Sequence, residues 1–271
     1  MRIINRRPAT RLANFSIALL PFVVLIVLYA VFSDMRLTEN PDDKLLPGLS
    51  SFVDAVQRMA FTPSKRTGEL LLWVDTFASL QRLAIGMSIS AFLGLWLGIL
   101  NGLIPWVAAG GSPFVRVLSM IPPMAVLPIL FITFGLGELS KYVLIVFGTA
   151  PFIARDIEQR VRELPREQLI KAQTLDASSW QIIVRVVLPQ VLPRLVDAVR
   201  LSLGAAWLFL IAAEAIASTE GLGYRIFLVR RYLAMDVILP YVMWITLLAF
   251  AVDYLFRRMT SWFFPWYGTS R

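Results

Sequence analysis

Long apolar runs, each bounded by charges or turn residues, set the layout of this chain. The first, Leu12 to Ser33, carries no charge and follows Arg2, Arg6, Arg7 and Arg11. It exceeds the roughly 7 to 15 residues of a secretory-signal core and lacks a small-residue cleavage site. It therefore reads as a first transmembrane helix with its N-terminus inside, kinked or started by Pro21. Residues 34–69 turn polar, with Asn40-Pro41 and Pro47-Gly48 as turn signals. Five basic against six acidic side chains suit the outer face, and Ser51 to Met59 suits a short surface helix. No charge falls between Leu83 and Val115, a run too long for one span of roughly 20 residues. Asn101-Gly102, Pro105 and Gly110-Gly111 place a helix end and a tight inner loop within it. A second span is thus expected over Leu70 to Leu100 and a third over Pro113 to Phe134.

The third span contains Ile121-Pro122-Pro123 and Leu127-Pro128. Proline frees carbonyls that hydrocarbon cannot satisfy, so this helix is expected to be broken and buried in the bundle, ending outside at Phe134-Gly135-Leu136-Gly137. The fourth, Leu139 to Arg155, has only 13 residues between Lys141 and Arg155. That is about 20 Å against an apolar thickness of about 30 Å, so its charged ends must snorkel or be shielded by protein. Fifth and sixth spans follow over Leu195 to Ser218 and Val237 to Phe256, with Arg257 and Arg258 inside. The sum is a multi-pass protein of six spans with both termini cytoplasmic. Arg225, Arg230 and Arg231, in the loop at 219–236, fall outside against the positive-inside bias.

Between the fourth and fifth spans, residues 163–193 are polar and carry both signs of charge. Pro165 suits a first helical turn, and a helix can run from it through Gln173 until Asp176 breaks it. Ser178 and Gln181 have the spacing of a capping box. Trp180, Ile183, Val184 and Val187 then place one apolar stripe on a second short helix, which Pro189 and Pro193 are expected to close. Two short helices, polar outside and apolar on one side, form a docking knob facing the cytoplasm.

Composition agrees with the runs. Of 271 residues, 58% are apolar and only 16% charged, which marks an integral membrane protein. The net charge of +8 comes from Lys and Arg at the ends of apolar runs, where they act as topology signals, with no basic stripe for nucleic acid. The chain has no Cys and no His, and no Walker-type glycine loop, which excludes thiol or imidazole catalysis, the usual zinc and haem ligands, and ATP binding by that route. No catalytic residue, metal or cofactor is expected, and energy must come from a partner or a gradient. Glu214 is the acid lying well inside an apolar span and either lines or gates a path or locks packing. Pro122 and Pro123 form either a gating hinge or, the favoured reading, a static kink shaping a cavity. Asp253 and Arg257 are spaced as a helix-end pair, and Trp262, Phe263, Phe264 and Trp266 as an interfacial belt.

The 163–193 stretch is similar to the cytoplasmic loop of the permease subunits of bacterial ABC importers. Aligned through Leu175-Asp176-Ala177-Ser178, its end Val186-Val187-Leu188-Pro189 matches that family's Ile-any-Leu-Pro, while Ile170-Lys171-Ala172 stands where Glu-Ala-Ala is usual and Asp176 replaces the turn glycine. Asp tolerates a left-handed backbone, so the turn can survive. Ile121-Pro122-Pro123, Leu127-Pro128, Phe134-Gly135-Leu136-Gly137-Glu138 and Gly221-Leu222-Gly223, in this order, resemble the nitrate, sulfonate and taurine branch over about Leu70 to Phe256. The resemblance implies an all-α fold of the type I importer permease kind, with an N-terminal helix and external segment (1–69) and a permease core (70–271). It implies a homodimer in the bacterial inner membrane, two cytoplasmic ABC ATPase subunits and an external substrate-binding protein. It also implies an ATPase-coupling turn made by Lys171, Ala172, Gln173, Thr174, Leu175, Asp176, Ala177 and Ser178. The rival from residues alone is a gradient-driven secondary transporter, for which Glu214 stands nearly alone as a coupling group.

Overall fold

The computed structural model describes residues 11–40, 43–65 and 67–270. Arg2, Arg6, Arg7, Pro41, Asp42 and Arg66 lie outside the described residues, and with them the basic flank on which the N-terminal topology rests. All regular structure among the described residues is helical. Helix α1 spans Arg11–Glu39 and α2 Leu49–Ala60; α3 is Leu71–Leu103, α4 Pro105–Leu118, α5 Pro123–Phe134 and α6 Glu138–Arg162. Then come α7 at Arg166–Thr174, α8 at Ser179–Ile182, α9 at Leu188–Ala217, α10 at Leu222–Val229 and α11 at Met235–Phe263.

Four helices are long and apolar enough to cross a bilayer: α1, α3, the continuous stretch from α8 through α9, and α11. The bent pair α4–α5 makes a fifth. Helix α6 is too charged to qualify by composition, yet its 25 residues reach about 38 Å and it packs along α3. With it the architecture is compatible with six spans.

The α3–α6 contact is the spine of the fold. Gly86, Ser90, Gly94, Gly98 and Gly102 repeat every fourth residue, hence on one face of α3. They meet Ile145, Thr149, Ile153, Ile157 and Val161 on α6, the two chains running in the same direction. A Cβ on Gly94 or Gly98 would come within 2.6 Å of Ile153 or Ile157. Small residues thus let two backbones approach closely, the usual device where lipid offers no hydrophobic drive between helices. Ser90 accepts from the Thr149 hydroxyl at 2.8 Å in the middle of this seam.

Several boundaries differ from expectation for identifiable reasons. Pro21 lies inside α1, which begins by Arg11, so it does not mark the start. Helix α1 also continues past Ser33 to Glu39. There Ser33 donates to the Leu46 carbonyl at 3.0 Å, Tyr29 to that of Pro47 at 2.8 Å, and Arg36 pairs with Asp43 at 2.6 Å. Between α1 and the rest lies an open apolar groove of about 1290 Å³, bordered by Phe22, Phe52, Val56, Trp244, Leu247 and Phe250. The expected surface helix appears as α2, but it buries Ala55 and Ala60 and packs on α11.

Gly110-Gly111 is no loop: the turn after α3 is confined to Ile104, and both glycines lie inside α4. The third span breaks where the prolines require, bending 94° between α4 and α5. It is not buried in the bundle, however. Helix α5 buries only Leu127 and Leu130 and leaves Met124, Ile129 and Ile132 exposed. Nor do Pro189 and Pro193 end the unit after Ser178, since the helix runs unbroken from Ser179 to Ala217. Ahead of Pro189 the helix takes a π-helical turn at Ile183–Val187, whereas Pro193 sits inside regular α9. Pro189 cannot donate to Arg185 and its ring crowds that carbonyl, so pairing shifts by one residue, and the Gln190 side chain donates to the Val186 carbonyl at 2.8 Å.

Candidate functional site

Two polar clusters stand at opposite ends of the α3–α6 spine. One is the paired-helix knob of residues 163–193. Helix α7 has no buried residue and ends in the left-handed turn expected from sequence, with Asp176 at φ 58°. The Ala177 N–H reaches the Ala172 carbonyl at 3.1 Å and the Asp176 N–H that of Gln173 at 3.0 Å. This is a Schellman closure with Asp in the place usually held by glycine. Ser178 then caps α8: its hydroxyl accepts from the Gln181 N–H at 3.3 Å, and the Gln181 side chain accepts from the Ser178 N–H at 2.8 Å. Held between these two caps, Leu175 is 83% exposed. Lys171, Gln173, Thr174 and Asp176 are also exposed, while Ala172 and Ala177 pack inward against the core. Of the expected stripe, Ile183 and Val187 are buried, and Trp180 stacks on Trp96 at 6.0 Å.

The second cluster, at the other end, centres on Glu214, which is fully buried. Its carboxylate accepts from Ser79 at 2.8 Å, from Arg82 at 2.9 Å and from the Gly223 N–H at 2.9 Å. Arg82, 3% exposed, clasps Glu138 with a two-pronged contact at 2.7 and 2.9 Å and also donates to the Glu220 carbonyl at 2.9 Å. Lys141, 2% exposed, reaches Glu138 at 2.7 Å, so that end of α6 is shielded by protein. One turn away, Asp75 accepts from Arg225 at 2.8 Å, from the Gly221 N–H at 2.9 Å and from Tyr241 at 3.1 Å. Gly221 is required here: its φ is 121°, and a Cβ would lie 2.6 Å from the Glu214 carboxyl. Arg82 as a partner of Glu214, and Asp75, Glu138, Lys141 and Arg225 as members of the same polar network, were missed at the sequence level. A signal existed, because Asp75, Ser79 and Arg82 lie at i, i+4 and i+7 on one helix face. Of the three arginines in the loop at 219–236, Arg225 pairs with Asp75, while Arg58 pairs with Asp236 of that loop at 3.3 Å.

Pro122 and Pro123 are not part of this cluster. They cap and begin α5 at the elbow, where Ser119 accepts from Arg155 at 2.9 Å. Along α6, Arg155 lies about 25 Å from Glu138. Nearby, Gln159 and Arg160 hold the Glu163 carboxyl below the ordinary carboxylate range. Neither cluster has the three or more grouped ligands that could hold a metal ion among the described residues.

Residues 90–267, which include the knob, the elbow and most of the Glu214 cluster, match the family described as the binding-protein-dependent transport system inner membrane component. The chain belongs to this family. It is a transport permease of the inner membrane, not an enzyme. Among curated relatives, the taurine transport system permease protein TauC of Escherichia coli (strain K12) is 34% identical over 197 residues, covering 73% of this chain and 72% of the relative. The bicarbonate transport system permease protein CmpB of Synechococcus elongatus is 32% identical over 249 residues, covering 89% and 85%. The fold is similar to that of the MetNI methionine ABC transporter in an inward-facing form, with a TM-score of 0.59 at 23% identity, over 73% of this permease and 97% of the solved chain.

Proposed function

We propose that this permease is the membrane-spanning subunit of an ATP-driven importer for a small polar solute. The relatives' names point to solutes of the taurine, sulfonate or bicarbonate kind. Two copies would form the path, two cytoplasmic ATPase subunits would grip residues 163–193, and a binding protein outside would deliver the solute. One observation carries the coupling assignment: a large apolar side chain, Leu175, projects from a turn fixed on both sides by helix caps. A greasy residue held out of the core in a polar loop is costly in water and suits burial in a partner's pocket.

Closure of the ATPases on ATP would pull on this knob and tilt the spans between outward-open and inward-open arrangements. The chain itself would transmit force and line the path. The test is replacement of Leu175 by Asp, or of Asp176 by Pro, which cannot adopt φ near +58°. Either change is expected to leave membrane insertion intact while solute-stimulated ATP hydrolysis and uptake fall at least tenfold. Normal uptake in both variants defeats the assignment, as does an assembled transporter that works without an ATPase subunit.

A further inference from the structure

At the inner end of the spine, a polar pocket of about 320 Å³ opens between α4 and α6, beside the elbow. Ser112 and Arg116 line it from α4, Arg155, Glu158, Gln159 and Arg162 from α6, and Glu163 from just past the end of α6. Its charges are unevenly satisfied. Glu158 is engaged by Arg162 at 2.7 Å and by the Ser112 hydroxyl at 2.8 Å, and Glu163 by Arg160 at 3.0 Å and Gln159 at 3.1 Å. Both bordering carboxylates are therefore occupied by groups other than Arg116 and Arg155. Among the described residues, the Arg116 side chain has no hydrogen bond or ion pair, and the Arg155 guanidinium donates only to the Ser119 hydroxyl.

Arg155 also sits well back from the end of α6, seven residues before Arg162 or about 10 Å along the axis. A charge at that depth is tolerated where it faces a water-filled cavity, and it marks an ion or solute route. Arg116 and Arg155 thus keep guanidinium N–H groups with no protein acceptor around one small concavity. The planar fork complements the oxygens of an oxyanion. We propose that this pocket binds a small oxyanion group, such as a sulfonate, carbonate or phosphate, between Arg116 and Arg155 at the cytoplasmic mouth. The group would be either a free solute leaving the path or the headgroup of an anionic lipid. The first of these sources rests on the importer reading above; the site itself does not.

The absence of cysteine makes the site directly readable. In the full-length chain within its assembled transporter, in nanodiscs, Gln159→Cys places one thiol on the pocket wall. Its modification is timed with an anionic sulfonatoethyl methanethiosulfonate and with the cationic trimethylammonioethyl reagent, each rate being divided by that of the same reagent with free cysteine. The anionic reagent is expected to react roughly fivefold faster, and adding Arg116→Gln together with Arg155→Gln should bring the two rates together. Millimolar inorganic sulfate, compared with chloride at equal ionic strength, should slow labelling if a free oxyanion is the occupant. Phosphatidylglycerol in place of phosphatidylcholine should do so if a lipid headgroup is. Protection in either arm supports the site. Equal rates for the two reagents before the arginines are removed overturn it, and so does a charge preference with no protection in either arm. Because labelling needs neither ATP nor transport, loss of the importer reading would leave this result standing, and the reverse also holds.

Discussion

At Arg82 the guanidinium is surrounded on three sides by acidic residues while almost no water reaches it. Removing one partner of a buried pair leaves the other charge stranded, typically at a cost of about 3–5 kcal/mol. Arg82→Gln is therefore expected to lower the thermal midpoint of the purified permease more than Glu214→Gln. The latter keeps a side chain that can still accept from Ser79 and Gly223. Thermal unfolding in detergent measures both, and the opposite order contradicts the arrangement. Gly221→Ala faces both a disfavoured φ and the Glu214 carboxyl, so it should cost about 1–3 kcal/mol. Gly204→Ala, where a Cβ meets nothing within 4 Å, should leave the midpoint unchanged or raise it. Glu214 was legible in the sequence because it interrupts an apolar run. Arg82 and Asp75 were not, because they sit at the edge of one and read as flanking charges. Only folding shows that loop 218–223 closes over that edge and seals them from water.

Among elements, the α7–α8 knob was the most legible, since caps depend on residues three or four apart and on no distant contact. Both the left-handed Asp176 and the reciprocal Ser178–Gln181 bonds are local chemistry. Asp176→Gly should therefore preserve coupling and slightly stabilise the turn, because glycine meets no Cβ penalty there. Ser178→Ala should remove about 1 kcal/mol from the α8 start. Hydrogen exchange at residues 179–182 reads the latter, and unchanged protection would contradict the cap. What local chemistry could not show was the fate of Pro189 and Pro193. The π-helical turn before Pro189 and the α9 start that holds Pro193 are fixed by Val187 and Val191 in the core, a tertiary constraint outweighing a local stop signal. The elbow at Pro122-Pro123 was likewise readable as a break. The exposed face of α5 was not, because a uniformly apolar segment carries no periodicity to say which side is covered.

For the whole molecule, α1 and the spine behave as opposites. The apolar length of α1 is unburied, and its described contacts run to the segment at 43–52. Deleting residues 1–47 is expected to leave the unfolding midpoint of the remaining chain within a few degrees of the parent in the same detergent; a collapse of folded yield would show that α1 is part of the core. The α3–α6 seam, by contrast, was written plainly as glycine or serine every fourth residue, opposite a β-branched residue at the same interval. It escapes notice because hydropathy registers only that both segments are greasy. With main chains in touch along some 24 Å from Gly86 to Gly102, neither helix has slack to bend or slip past the other. The two therefore act as one stiff beam with an acidic clasp bolted to its far end and an arginine-lined mouth at its near end. Displacing one end of the pair would therefore carry the other end with it, sooner than bend either helix.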